Sequence, residues 1–356
     1  MGNVLIDAYA VNSCNTPEFR SRRTREKVLL FIKDYKLQRE RASETLSDQP
    51  LEEDIIAIAS FHSSVIRGLL EHYSTWARAN LEGLSEPQAL SRIEERRIIR
   101  GLYRFQLFCS LFGAVRGRAS FFEDGILKSE ERLNLFLDEY EAWEIEEILC
   151  INVFVQAKYP SVFETVQWHL HPDNPFFDDR RMGPETPPGA FRLVDGTFSD
   201  WYRNGMACRG LNVLFTVLTT KDQTKLAEVI SSEIVTAIDD MIFETTRPDN
   251  QERRRIDQHS DRDKAQDNRE KMSFSGDNES SPPLAWVTFW KERYSNLFGD
   301  FLPRSLRQWG YIMWDRSRLL NTDAIALIDR EWKSYYDRLN DEGEPEDPRD
   351  DIMTYT

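Results

Sequence analysis

One charged residue lies inside an otherwise apolar stretch of the sequence. Arg104 belongs to the segment LYRFQLFCSLF, residues 102–112, in which eight of eleven residues are apolar. This composition predicts a helix buried on all sides, where an unpaired guanidinium would cost several kcal/mol. The sequence therefore predicts a carboxylate partner for Arg104. The candidates are the acids of the segment WEIEEILC, namely Glu144, Glu146 and Glu147.

A second group of polar and aromatic residues lies in the segment LRQWGYIMWDRSRL, residues 306–319. Aromatic side chains surround Gly310, and Asp315 stands beside two arginines. We favour a buried polar network that fixes the register of the helices. The alternative is a ligand pocket between helices, near Arg104 and Trp314. The binding residues on that alternative are Arg104, Glu144, Glu147, Trp309, Tyr311, Trp314, Asp315 and Arg318.

Two histidines have a spacing that could bind a metal. His169 and His171 lie in WHLHPD, and alternate residues of an extended segment share a face, so both rings could reach one ion. Asp173 or Asp179 would complete the ligand shell. Because this spacing is common, the sequence predicts no metal site and no cofactor. We favour a loop that packs against Trp168.

Paired aspartates, Asp239 and Asp240, precede Glu244 near the middle of the chain. On a helix Asp240 and Glu244 would share a face, which is similar to the Mg²⁺-binding acids of class I terpene synthases. The second motif of that chemistry, N-D-x-x-S-x-x-x-E, is absent, as are G-x-S-x-G, Walker and dinucleotide-binding glycine motifs. We therefore assign no catalytic residues and favour an exposed helix end.

The composition is that of a globular protein. The chain has 356 residues, of which 40% are apolar, and its formal net charge is -15. Its four cysteines lie far apart, so the sequence predicts free thiols in a reducing compartment, either the cytoplasm or the nucleus. The longest apolar run, residues 148–155, is much shorter than a membrane span. The sequence also lacks the pattern of a secretory signal.

The distribution of charge bears on the choice of partner. An acidic surface disfavours binding to nucleic acid and to anionic lipid. The exception is the basic segment RSRRTREK, Arg20–Lys27, which we interpret as a solvated helix face. A nuclear localisation signal or a patch that binds polyanions is the alternative.

Steps of three and four between apolar residues predict an all-α fold. Residues 284–340 hold twelve of the 42 aromatic residues, too many to bury among themselves. We therefore predict one irregular multi-helix domain, discontinuous in sequence, formed by residues 1–244 and 284–340. Residues 245–283 are charged and poor in apolar side chains, which predicts a disordered linker. A disordered acidic tail is predicted at 341–356.

Three segments carry a resemblance to other proteins. The stretches RIIRGLYRFQLFCSLFG, WEIEEILCINVF and LRQWGYIMWDRSRL follow one another in this order along the chain. Together they resemble a group of uncharacterised proteins of filamentous fungi. The resemblance implies a fungal origin and a helical fold. It implies no activity, and so no catalytic residue carries over.

The sequence favours a non-enzymatic helical protein that binds a protein partner. Its contact segments would be the proline-rich loop 171–190, the predicted linker 245–283 or the acidic tail. The alternative function is an enzyme or small-molecule binder that uses the inter-helix pocket described above.

Overall fold

The all-α prediction is confirmed. The computed structural model describes residues 2–16, 18–19, 23–41, 51–81, 89–114, 126–181, 183, 186–194, 196–339 and 349. These ranges contain no β-strand, and an isolated antiparallel bridge joins Lys271 to Arg293. None of the four cysteines, all of which are described and buried, forms a disulfide bond.

The described residues form a succession of α-helices. In chain order the α-helices are α1 (Gly2–Cys14), α2 (Arg25–Arg41), α3 (Glu52–Phe61), α4 (Arg67–Ala79), α5 (Arg92–Phe112), α6 (Ser129–Leu135), α7 (Ala142–Leu170), α8 (Gly196–Ala207), α9 (Leu211–Thr219), α10 (Gln223–Glu233), α11 (Met241–Thr245), α12 (Pro248–Asp257), α13 (Asp261–Asn268), α14 (Leu284–Phe289), α15 (Arg304–Gln308), α16 (Arg316–Leu320) and α17 (Ala324–Leu339). A π-helical turn, His62–Ile66, joins α3 to α4. Turns of 3₁₀ helix occur at Leu137–Glu139, Pro175–Arg180, Gly299–Phe301 and Tyr311–Met313.

The chain divides into two compact units. The first unit is Met1–Leu69, Tyr103–Lys128 and Phe154–Met241. The second is Leu70–Leu102, Ser129–Val153 and Ile242–Thr356. Neither unit coincides with the predicted discontinuous domain, so the single domain stays a prediction.

In the first unit α1 packs against α2 and α3. Ile6 and Val11 of α1 are buried. On α2 the buried residues are Val28, Ile32 and Tyr35, at steps of four and three. This spacing places them on one stripe of the helix, and the opposite stripe is left to solvent.

The core of the second unit is rich in tryptophan. Trp286, Trp290, Trp309 and Trp314 are fully buried there. The ring of Trp286 lies 6.4 Å from that of Trp143, edge to face. Gly310 has a φ of +66°, and a Cβ at this position would lie 2.5 Å from the Tyr73 hydroxyl oxygen. A larger residue would therefore be strained and would also displace Tyr73.

Residues 245–283 are ordered, so the predicted disordered linker is wrong. They contain α12 and α13, and α13 begins with a capping box between Ser260 and Asp263. Arg254 and Asp263 are buried and their side chains lie 3.3 Å apart. Gln251 donates to the carbonyl of Phe298 at 2.8 Å. The segment folds with few apolar residues because its polar groups bond to one another and to the surrounding backbone.

Parts of three predicted segments lie outside the described residues. These are residues 20–22 of the basic segment, residues 182, 184 and 185 of the proline-rich loop, and all of the acidic tail except Arg349. The Arg349 guanidinium donates to the Phe289 carbonyl at 2.7 Å. It also lies over the rings of Phe289 and Trp332, at 5.6 and 5.2 Å.

Candidate functional site

Arg104 has a carboxylate partner, but it is not the predicted one. Its Nε donates to Oδ2 of Asp7, on α1, at 2.9 Å, and both side chains are fully buried. The Tyr35 hydroxyl donates to the other oxygen of Asp7 at 2.5 Å, and Arg39 approaches that oxygen at 3.4 Å. The predicted pairing of Arg104 with Glu144, Glu146 or Glu147 is therefore wrong.

Two of those glutamates pair with Arg100, which lies one helical turn before Arg104 on α5. Arg100 donates to both carboxylate oxygens of Glu147, at 2.8 and 2.6 Å. Its Nη1 lies 2.9 Å from Glu144 and donates to the carbonyl of Glu279 at 2.8 Å. The helices approach closely here because Gly101 has no side chain. A Cβ on Gly101 would lie 3.2 Å from the Glu147 carbonyl oxygen.

Glu146 pairs with Arg307 of α15. Nε and Nη2 of Arg307 donate to the two oxygens of Glu146 at 2.7 and 2.8 Å. Glu146 also accepts from the Gly299 N–H at 2.8 Å and from the Tyr311 hydroxyl at 3.2 Å. Burial would lower the pKa of Arg307, but the carboxylate of Glu146 outweighs it and raises that pKa. Arg307 is therefore held in its charged form.

Arg318 pairs with Glu94 at the start of α5. Nε and Nη2 of Arg318 donate to the two oxygens of Glu94 at 2.7 and 2.8 Å. Burial would raise the pKa of Glu94, but the hydrogen bonds from Arg318 and from the Ser91 and Asp315 N–H groups lower it. The guanidinium of Arg318 also lies 5.3 Å from the centre of the Trp314 ring.

Asp315 bonds to the side chains of Arg97 and Ser91. The Arg97 Nη1 donates to Asp315 at 3.1 Å and to the Trp314 carbonyl at 3.1 Å, and the Ser91 hydroxyl also donates to Asp315. Burial raises the pKa of Asp315 in spite of these donors. Trp314 in turn donates from its ring nitrogen to the carbonyl of Trp309 at 2.7 Å.

The structure therefore brings seven of the eight predicted binding residues into the second unit, whereas Arg104 belongs to the first. The residues that sequence reasoning missed as partners are Asp7, Glu94, Arg97, Arg100 and Arg307. For Arg97 and Arg100 the signal was available, since they share a face with Arg104 at steps of three and four.

The buried acids and arginines described above form ion pairs with one another. Glu94, Glu146 and Glu147 each use both carboxylate oxygens to accept from one guanidinium, which is the strongest geometry for such a pair. Burial raises the pKa values of Cys150 and Tyr311, so both groups stay protonated at neutral pH and are poor nucleophiles. This geometry favours the polar network over the ligand pocket.

The histidines of WHLHPD are not arranged as metal ligands. His169 lies in the last turn of α7. His171 stacks on Trp168, with ring centres 6.0 Å apart. The His171 Nδ1 accepts the backbone N–H of Asp173 at 3.1 Å. Within the described ranges, no group of three or more His, Cys, Asp or Glu side chains could hold a metal ion.

The paired aspartates do not lie on a helix, so the predicted shared face is wrong. α10 ends at Glu233, and Asp239 and Asp240 lie in irregular chain before α11. Asp240 accepts from the Gln156 amide at 2.9 Å. Glu244, which is half-buried, lies 3.2 Å from Arg247. The end of α11 is buried at Thr245, so the favoured exposed helix end is also wrong.

A loop of the first unit exposes aromatic side chains. We define the aromatic loop as residues 168–181, from the end of α7 through the 3₁₀ turn. Trp168 is 58% exposed and Phe176 is 65% exposed. The guanidinium of Arg180 lies 4.9 Å from the centre of the Phe176 ring and 5.9 Å from that of Phe177.

Comparisons with known proteins find no match: no family model, no curated protein sequence and no solved structure matches the chain. Among the helices of the described residues, none combines the length and apolar content that crossing a membrane requires.

Proposed function

We propose that this protein is a non-enzymatic helical protein that binds a protein partner through the aromatic loop. The proposal rests on the exposure of two aromatic side chains, Trp168 and Phe176. The second of these lies beside Arg180. Aromatic residues and arginine are the residue types most enriched where binding energy concentrates at protein interfaces.

The loop is held in place by its own hydrogen bonds. The Asn174 amide donates to the Trp168 carbonyl, and Arg181 donates to the Pro172 carbonyl, each at 2.7 Å. Next to Phe176, Phe177 is buried and fixes the turn to the first unit. A loop that is already ordered loses little conformational entropy on binding, which favours affinity.

The alternative function, a small-molecule site near Arg104 and Trp314, has weaker support. The carboxylates of Glu94, Glu146 and Glu147 are each satisfied by an arginine of the protein. A ligand that used these groups would first have to break a buried ion pair, at a cost of several kcal/mol.

The compartment is part of the same proposal. Four buried cysteines without a disulfide bond fit a reducing environment, either the cytoplasm or the nucleus.

Differential affinity capture tests the proposed function. The tagged protein and the double variant Trp168→Ala/Phe176→Ala are each used to capture proteins from cells that naturally express the chain. We expect at least one protein that the original captures and the double variant does not, since truncating one anchor residue weakens binding by about 2 kcal/mol, or about 30-fold.

Ile256→Ala is the matched control, because Ile256 is an exposed apolar residue of α12, outside the aromatic loop. It should capture the same protein as the original. If the double variant retains every protein that the Ile256→Ala variant captures, the aromatic loop is not the binding surface.

A further inference from the structure

One basic side chain of the acidic tail lies buried against the second unit. Residues 341–356 contain seven acids and a single base, Arg349. Arg349 is the one residue of this segment that the structure describes, and it is only 5% exposed. Its guanidinium lies over two aromatic rings, those of Phe289 on α14 and Trp332 on α17. The described contact of the tail is therefore made by its single basic side chain.

The two rings form a corner that fits a guanidinium. Their centres lie 5.2 Å apart and their planes are nearly perpendicular, at 89°. The central carbon of the Arg349 guanidinium lies 5.6 Å from the centre of the Phe289 ring and 5.2 Å from that of Trp332. Both distances lie within the range of a cation–π interaction. The guanidinium thus meets both rings at once.

A backbone carbonyl completes the site. Nη1 of Arg349 donates to the carbonyl oxygen of Phe289 at 2.7 Å. Phe289 is the last residue of α14, and the last carbonyls of a helix have no partner within the helix. A planar guanidinium can stack on a ring and donate from its edge at the same time, whereas a lysine ammonium is compact and strongly hydrated. The geometry therefore selects arginine over lysine.

The charge of the tail opposes its own docking. Its seven acids give residues 341–356 a net negative charge, and the other residues of the second unit are also net acidic. Like charges repel, so the acids of the tail weaken the attraction that the two rings exert on Arg349. An arginine in a segment with a neutral or basic sequence would bind the same site without this repulsion.

We propose that Phe289 and Trp332 form a binding site for an arginine of a partner protein, and that Arg349 occupies this site until the partner displaces it. The arginine of the partner lies in a segment that is neutral or basic, because such a segment complements the acidic second unit. Arginine and tryptophan are both enriched among the residues that contribute most to binding at interfaces.

The connection of the tail to α17 sets the strength of this competition. Nine residues, 340–348, separate Arg349 from the end of α17 at Leu339. A ligand attached through a short segment acts at an effective concentration of the order of 1 mM. Because the site is filled, the free ligand should have a lower dissociation constant, and we expect about 0.1 mM. The attached tail then raises the apparent dissociation constant of a competing segment by about tenfold.

Calorimetric titration of the full chain tests the site, with a synthetic peptide of residues 341–356 as the ligand. Arg349→Ala empties the site, so the peptide should bind this variant with a dissociation constant of about 0.1 mM and the original chain with about 1 mM. Arg330→Ala removes an exposed arginine of α17 and is the matched control, which should behave like the original. Equal binding to the original and to Arg349→Ala would overturn the proposal.

Variant peptides test the chemistry of the ligand on the Arg349→Ala chain. A peptide with Arg349→Ala should not bind at about 1 mM, and one with Arg349→Lys should bind about fivefold more weakly than the original peptide. A peptide with Asp347→Asn/Asp350→Asn/Asp351→Asn should bind about threefold more tightly at low salt, and added salt should reduce this gain. A lysine peptide that binds as well as the arginine peptide, or the absence of a gain from the asparagines, would contradict the proposed ligand.

Circular dichroism verifies that the Arg349→Ala chain is folded. If it is not, the chain with Arg349→Lys replaces it, because lysine keeps the charge and most of the stem but should occupy the site less tightly. The peptide should then bind this chain more tightly than the original. Absence of binding to the folded variant would mean that Arg349 is a fixed part of the core, which would overturn the proposal. The chain with Trp168→Ala/Phe176→Ala should bind the peptide like the original, so the outcome is independent of the proposed function.

Discussion

The two units bury arginine in different ways. In the first unit one carboxylate, Asp7, accepts from Arg104, Tyr35 and Arg39. In the second unit some arginines are each matched with a glutamate of their own, as in the pairs of Arg307 with Glu146 and Arg318 with Glu94. In the first arrangement three side chains converge on one acid, whereas the second divides the charge among several pairs. Loss of one acid should therefore affect the first unit more.

The largest effect should follow from Asp7→Asn. This change removes the negative charge beside the fully buried guanidinium of Arg104, and asparagine keeps only one acceptor oxygen where Arg104 and Tyr35 used two. Removing one partner of a buried ion pair costs about 3–5 kcal/mol, and we expect the upper half of that range. Urea unfolding of the full chain measures the loss in the free energy of unfolding.

Glu146→Gln is the comparison variant in the second unit. Arg307 would still donate to the carbonyl of Gly299, so we expect a loss of about 3 kcal/mol. Asp54→Asn serves as a control, because Asp54 is a partly buried acid of the first unit that accepts from Asn12 and carries no buried ion pair. If Asp7→Asn costs no more than Asp54→Asn, then Asp7 does not organise the first unit as we describe.

The pH dependence of Glu94 sharpens the comparison. The pKa of Glu94 is lowered from its ordinary value of 4.5, so its stabilising contribution is complete above that pH and is lost as the pH falls through the lowered pKa. Glu94→Gln should cost about 2 kcal/mol at neutral pH, with Arg318 retaining the Ala89 carbonyl. The difference from the original should shrink below about pH 4.

Asp315 provides a control, because its pKa is shifted in the opposite direction to that of Glu94. Burial raises its pKa, so the folded state binds its proton more tightly than the unfolded state does. Its contribution to stability therefore falls as the pH rises through the raised pKa. Unfolding of Glu94→Gln and Asp315→Asn between about pH 3 and pH 7 should give differences from the original that change in opposite directions. Parallel changes would contradict the assignment of the two shifts.

The prediction of an ion pair at Arg104 and the choice of its partner rested on different kinds of information. A charge in an apolar helix requires a counter-charge, and this local argument correctly predicted a carboxylate. The choice of partner depends on which helices meet, and a single sequence does not state this. Arg100 takes Glu147 and Glu144, while Arg104 reaches an acid near the N-terminus.

Asp7 is not identified by the local argument, because it is a lone acid inside the apolar segment MGNVLIDAYAV, far from Arg104 in the sequence. On α1 it lies on the buried side, between the buried residues Ile6 and Ala8. The segment 245–283 was misjudged for a related reason. Composition predicts disorder when apolar residues are scarce. This segment nevertheless folds, because Arg254 and Asp263 pair with polar groups that lie far away in the sequence.

The smallest effect on stability should follow from Phe176→Ala in the aromatic loop. Phe176 is 65% exposed, and an exposed side chain that contributes little buried area should change the free energy of unfolding by less than about 0.5 kcal/mol. The neighbouring Phe177 is 2% exposed, so Phe177→Ala should cost about 3–5 kcal/mol. Thermal and urea unfolding of the two variants compare the same chemical change at adjacent positions. A large loss at Phe176 would mean that its ring supports the fold of the loop. That result would contradict the aromatic loop as the binding surface, because a residue that contacts a partner should be dispensable for folding and required for capture of that partner.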